Sequence, residues 1–133
     1  MHPSIRAFVP VFALLAALIT STATAADAPA EKWRIAFQGQ ATTTGELHFR
    51  VTPQTGEPLL FTVKIQSGRG EVYMAKDVLE GIKAQLSRKR FKSEIIHVQD
   101  VMLKSGHEEP PFTLELLDSN VEGTKVKISP VEA

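Results

Sequence analysis

Apolar and polar residues alternate along several short stretches of the chain. Trp33, Ile35 and Phe37 alternate with Lys32, Arg34 and Gln38, the period of a half-buried strand. After the connection GQATTTG, Leu47, Phe49 and Val51 take one face and Glu46, His48 and Arg50 the other. TPQTGEP is dense in turn residues. Phe61, Val63 and Ile65 then alternate with Thr62, Lys64 and Gln66, so the second and third strands should form a hairpin.

SGRG ends this alternation and the period changes. Ala75, Val78, Leu79, Ile82 and Leu86 fall at helical spacing, with Lys76, Asp77, Glu80 and Lys83 opposite. Gly81 costs about 1 kcal/mol relative to alanine inside a helix, so its place is expected where the helix approaches the sheet closely. Arg88, Lys89 and Arg90 follow, and cations suit the negative end of the helix dipole. From Phe91 to Leu103 strand character returns. Ile96 and Val98 alternate with His97 and Gln99, and Val101 and Leu103 then slip in phase, as a bulge around Asp100 would produce. Phe112, Leu114 and Leu116 mark another strand, DSNVEGT a turn, and Val126 and Ile128 a final short strand.

The expected fold is α+β: an antiparallel sheet of about five to six strands in the order β-β-β-α-β-β-β, with one amphipathic helix on one face. Leu59, Leu60 and Leu117 fall off the alternation. If exposed, they mark a contact surface.

The segments GELHFRV, LFTVKIQSGRG, AKDVLEGIKAQL and FKSEIIHV resemble the strand–strand–helix–strand modules of flagellar hook-associated and phage tail proteins. Asp77, Val78, Ile82 and Leu86 occupy the D-V-x-x-x-I-x-x-x-L pattern of their helix. The resemblance covers about half of the chain after its leader. It implies a structural or interaction module with no active site to carry over.

The first residues follow another logic. Arg6, an apolar run from Ala7 to Ile19 and the small-residue tail Ala23-Thr24-Ala25 have the layout of a secretory signal peptide. The run is shorter than the roughly 20 apolar residues a spanning helix needs. Cleavage is expected after Ala25, with Ala26 the second choice. The chain then divides into a signal peptide (1–25), a flexible leader (26–31), a single domain (32–129) and a loose tail (130–133). The expected location is periplasmic or secreted, within a bacterial cell envelope, with no transmembrane anchor after cleavage.

Composition narrows the chemistry. The chain has 133 residues and no cysteine, which excludes disulfides, thiolate metal sites and cysteine nucleophiles. Removing Arg6 from the 15 basic residues leaves 14 against 15 acidic ones, a balance that points to neither nucleic acid nor an electrostatic membrane binder.

The densest run of reactive side chains is KSGHEEPPF, residues 104–112. A zinc-protease helix needs H-E-x-x-H, but Pro111 stands where the second histidine belongs, and Pro110 and Pro111 forbid a helix there. A turn between two strands is the expectation. His97, Asp100, His107 and Glu108 are the residues left for a metal site or a small hydrolase, and both require them to converge. Ser67, Ser93 and Ser105 lie in no G-x-S-x-G elbow. Glu108 and Glu109 are adjacent and point apart on an extended chain. No catalytic residue and no cofactor is assigned.

Ser67-Gly68 followed by Tyr73 is similar to the S-G-x-x-Y loop of periplasmic lysozyme inhibitors, with a longer spacing. That similarity implies an inhibitor of a secreted hydrolase such as lysozyme. The remaining candidates are surface groups for a protein partner: Arg88, Lys89, Arg90 and Lys92 around Phe91, with His107, Glu108 and Glu109. An exported, non-enzymatic protein that binds a protein in the cell envelope, or a second copy of itself, is the leading expectation.

Overall fold

Seven strands and one helix form in a computed structural model that describes residues 28–131. The expected signal peptide, the first two leader residues and the last two tail residues lie outside the described residues. In chain order the elements are β1 (Lys32–Gln38), β2 (Gly45–Pro53), β3 (Leu59–Ile65), α1 (Glu71–Gln85), β4 (Phe91–Ile96), β5 (Asp100–Ser105), β6 (Phe112–Ser119) and β7 (Lys125–Pro130). All neighbouring strands are antiparallel. They make a four-stranded sheet, β4-β5-β1-β7, and a three-stranded sheet, β3-β2-β6.

The α+β class, the β2–β3 hairpin and the helix packed on strands all hold. The count does not: there are seven strands in two sheets rather than five or six in one. The difference begins at the phase slip near Asp100. It is a chain reversal, with Ile96 opposite Asp100, and not a bulge within one strand. His97 and Val98 form the turn at φ 53° and 69°, a region that favours Gly or Asn. Neither residue signals a turn in the sequence, and the β-branched Val98 is strained there. The bulge falls elsewhere, where the β2–β6 register shifts between His48 and Phe49.

Both sheets bury their alternating apolar residues in one core. Trp33, Ile35, Phe37, Leu47, Phe49, Phe61, Ile65, Val101, Leu103 and Phe112 are all buried there. Phe49 stacks on Phe61 across β2 and β3 with ring centroids 4.8 Å apart, and Phe91 meets Phe112 edge-on at 5.3 Å. The Trp33 indole donates a 2.8 Å hydrogen bond to the Phe112 carbonyl, which satisfies the one polar group that this buried ring carries. Ala30 and Phe112 exchange backbone hydrogen bonds, so the end of the leader is tied into the framework.

The helix inserts Met74, Ala75, Val78 and Ile82 into the same core. It packs on β3 of the smaller sheet and on β1, β4 and β5 of the larger, while β6 meets β7 on the other side. The sheets are thereby rolled around one interior, with α1 spanning the gap between β3 and β4. Gly81 stands where the sequence expects a close approach: a Cβ there would lie 2.8 Å from Val63 Cγ2.

One end of the roll is sealed by three loops. Ala41 exchanges backbone hydrogen bonds with Gly68 and Arg69, and Thr42 donates to Glu122. Gly123, at φ +92°, presses on Gln40, where a Cβ would lie 2.4 Å from the carbonyl oxygen. Gly56, at φ +97°, has open space around it. Gly123→Ala should therefore cost on the order of 3 kcal/mol and Gly56→Ala about 1, the difference being the steric clash. Urea unfolding of the two variants measures both.

Candidate functional site

The two sheets share an interior, so each also has an outer face. On the three-stranded sheet that face carries His48 and Arg50 from β2, Leu60 and Thr62 from β3, and Glu115 and Asp118 from β6. The register places Arg50 opposite both Leu60 and Glu115, and His48 opposite both Thr62 and Asp118. Leu117 points outward by ordinary alternation, because its neighbour Leu116 packs against the core. Because β6 opposes Leu116 to Phe49 and Asp118 to His48, the bulge brings Asp118 outward beside Leu117. Leu60 is 66% exposed and Leu117 46%. Both line a shallow hollow of about 320 Å³, together with His48, Thr62 and Asp118. Leu59, the third off-pattern leucine, packs against the core instead.

His48 is held at both ring nitrogens. Nδ1 lies 3.1 Å from the Thr62 hydroxyl and Nε2 lies 3.4 Å from a Glu46 carboxylate oxygen. With both nitrogens engaged, the ring has no free lone pair for a metal or for proton abstraction. Arg50 is matched by Glu115, with guanidinium nitrogens at 2.9 and 3.1 Å from one oxygen. This face offers apolar contact bordered by fixed hydrogen-bonding groups.

The residues singled out in the sequence fall into separate places. His97 is 71% exposed on the β4–β5 turn, 3.8 Å from Asp100. His107 and Glu108 sit in the β5–β6 connection, at the other end of β5. Six residues of strand separate these positions by about 20 Å. The four do not converge, and no group of three or more metal-ligating side chains occurs among the described residues. The stretch KSGHEEPPF ends β5 and turns into β6.

The basic cluster and the acidic turn do meet. Gly106 donates its backbone N–H to the Arg90 carbonyl at 2.7 Å, and Arg90 pairs with Glu109 at 3.3 Å. Arg90 and Glu109 are therefore spent on each other, whereas Arg88, Lys89, Lys92, His107 and Glu108 remain exposed. Ser67 and Gly68 are pinned to residues 41–44, with Ser67 Oγ donating to the Thr42 carbonyl. Tyr73 lies in the first turn of α1, 54% exposed and flanked by Arg69 and Lys76, each within 5.5 Å of its ring centre. Arg69 donates hydrogen bonds of 2.7 and 3.0 Å to the Asp77 carboxylate, and these raise its pKa above its ordinary value. Ser67–Gly68 and Tyr73 do not form one projecting loop.

The free edge of β3 is also occupied. The Gln85 side-chain amide accepts from Thr62 N–H at 3.0 Å and donates to the Thr62 carbonyl at 2.7 Å, as a neighbouring strand would. None of this was visible in the sequence, where Gln85 sits on the polar side of a helix.

Comparison of the chain with family models, curated proteins and solved structures finds no match.

Gln85→Ala should lower stability by about 1 kcal/mol and increase self-association through the uncovered β3 edge. Urea unfolding and light scattering against concentration measure the two effects.

Proposed function

We propose that this is an exported, non-enzymatic binding protein, and that it docks a partner protein of the cell envelope on the outer face of β3-β2-β6. The observation that carries the reading is the pair Leu60 and Leu117, exposed on either side of the His48 hollow. The bulge in β6 sets Asp118 outward beside Leu117. Covering the exposed part of each leucine is worth roughly 1 kcal/mol, and together they can anchor the centre of an interface. Arg50, Glu115 and Asp118 around them supply the polar rim that such interfaces carry. The order β2-β3-α1-β4 also has the strand–strand–helix–strand arrangement whose resemblance implies an interaction module.

The partner fitting this face presents an apolar centre and a cation toward Asp118. Crosslinking with the tagged protein in its native envelope fraction should recover one protein in near-stoichiometric yield. Leu60→Asp and Leu117→Asp should each reduce that recovery at least tenfold with circular dichroism unchanged, because surface substitutions move stability by only about 0.5 kcal/mol. Equal recovery by the variants would remove this face as the contact. A clean monomer with nothing recovered would remove the reading itself. Concentration-dependent sedimentation that both substitutions abolish would name a second copy of the chain as the partner.

A further inference from the structure

The outer face of the four-stranded sheet collects positive charge that the neutral overall balance conceals. Trp33, Ile35, Phe37, Val101 and Leu103 point into the core, so the alternate residues of β1 and β5 point outward. Across the strands, Lys92 lies opposite Lys104, and Lys104 lies opposite Lys32. The next row is Glu94, Met102, Arg34 and Ser129, and the one after it Ile96, Asp100, Ala36 and Lys127. Lys125 follows, opposite Gln38. Six cations thus share this face with two carboxylates. One of these, Asp100, has a side chain only 13% exposed and turned toward His97. None of the six cations is ion-paired among the described residues. Arg88 and Lys89 extend the charge beyond the start of β4.

Like charges directly opposite in a sheet oppose its pairing. Three lysines in one line, with no acid between them, are therefore a cost to the fold that a bound anion would offset. The form of the face narrows which anion. It is a sheet surface with cations spread over four strands, not a groove that would follow a single polymer strand. Its outward residues include no aromatic platform for bases and only one arginine for forked recognition. Lysines are point charges on flexible stems that meet phosphate oxygens from many angles. Met102 and Ala36 lie between them as apolar ground.

We propose that the outer face of β4-β5-β1-β7 docks on a phosphate-bearing anionic lipid surface, with Lys32, Arg34, Lys92 and Lys104 against the headgroup phosphates. The contact is electrostatic and peripheral. It is independent of the leucine face, which points away on the other side of the shared core.

The test is co-sedimentation of the protein, purified as its host cell processes it, with vesicles of phosphatidylcholine alone or mixed with phosphatidylglycerol. Binding is expected only with phosphatidylglycerol present, and it should weaken as salt rises to physiological strength. Lys92→Gln and Lys104→Gln should each reduce affinity roughly fivefold, with thermal unfolding unchanged or improved. Lys64→Gln on the other sheet, and Leu60→Asp, should leave it unchanged, which keeps this result separate from that of the protein contact. Equal binding to both vesicles, or full binding by the Lys92/Lys104 double variant, would overturn the proposal. So would binding to soluble polyphosphate or to an acidic protein without binding to the vesicles.

Discussion

One apolar interior holds both sheets and the helix, and every other feature depends on its closure. The chain has no cysteine, so no covalent link fixes the roll. β1 is central to it. Its inward residues Trp33, Ile35 and Phe37 lie in the core, while its backbone pairs with β5 on one side and β7 on the other. The Trp33 indole reaches across to the Phe112 carbonyl and so connects the four-stranded sheet to the first residue of β6 in the three-stranded one. A large aromatic ring with its single donor satisfied adds packing without leaving an unpaired polar group inside.

Closing a sheet around a core leaves edges, and this chain deals with them by side chains as well as by strands. Gln85 occupies the β3 edge at Thr62, and α1 covers the opening toward β4. The loop end is closed by glycines that let three backbones touch. The segment Gly39–Gly45, which reads in the sequence as a plain connection, is occupied in this junction. Leu60 and Leu117, by contrast, lie on the outside of the roll.

Local pattern made the elements legible and left their assembly dark. The alternation of β1, β2 and β3 and the helical spacing from Ala75 to Leu86 follow directly from which side of each element meets the core. The close approach at Gly81 was readable for the same reason. What escaped was decided by contacts far apart in sequence or by unusual turn residues. His97-Val98 reverses the chain without Gly, Asn or Pro, so one long strand was read where two stand. That β1 pairs with β5 and β7 rather than with β2 has no local signal at all. Leu60 and Leu117 were visible as misfits to the pattern, but their gathering around His48 depends on the register of three strands. His97 and His107 stand beyond the two ends of β5, so the residues that neighbour in the sequence do not converge in the fold.

A balanced charge count describes the sum and conceals the arrangement. Six cations and two acids lie over one sheet, while over the other Glu46, Glu115 and Asp118 are nearly balanced by Arg50 and Lys64, so the domain is positive on one side. Such a molecule turns in the field of a charged surface before it touches it, so that its arrivals are oriented rather than random. Near its isoelectric point of about 6.9 it should still adhere to an anionic resin, held by the outer face of β4-β5-β1-β7.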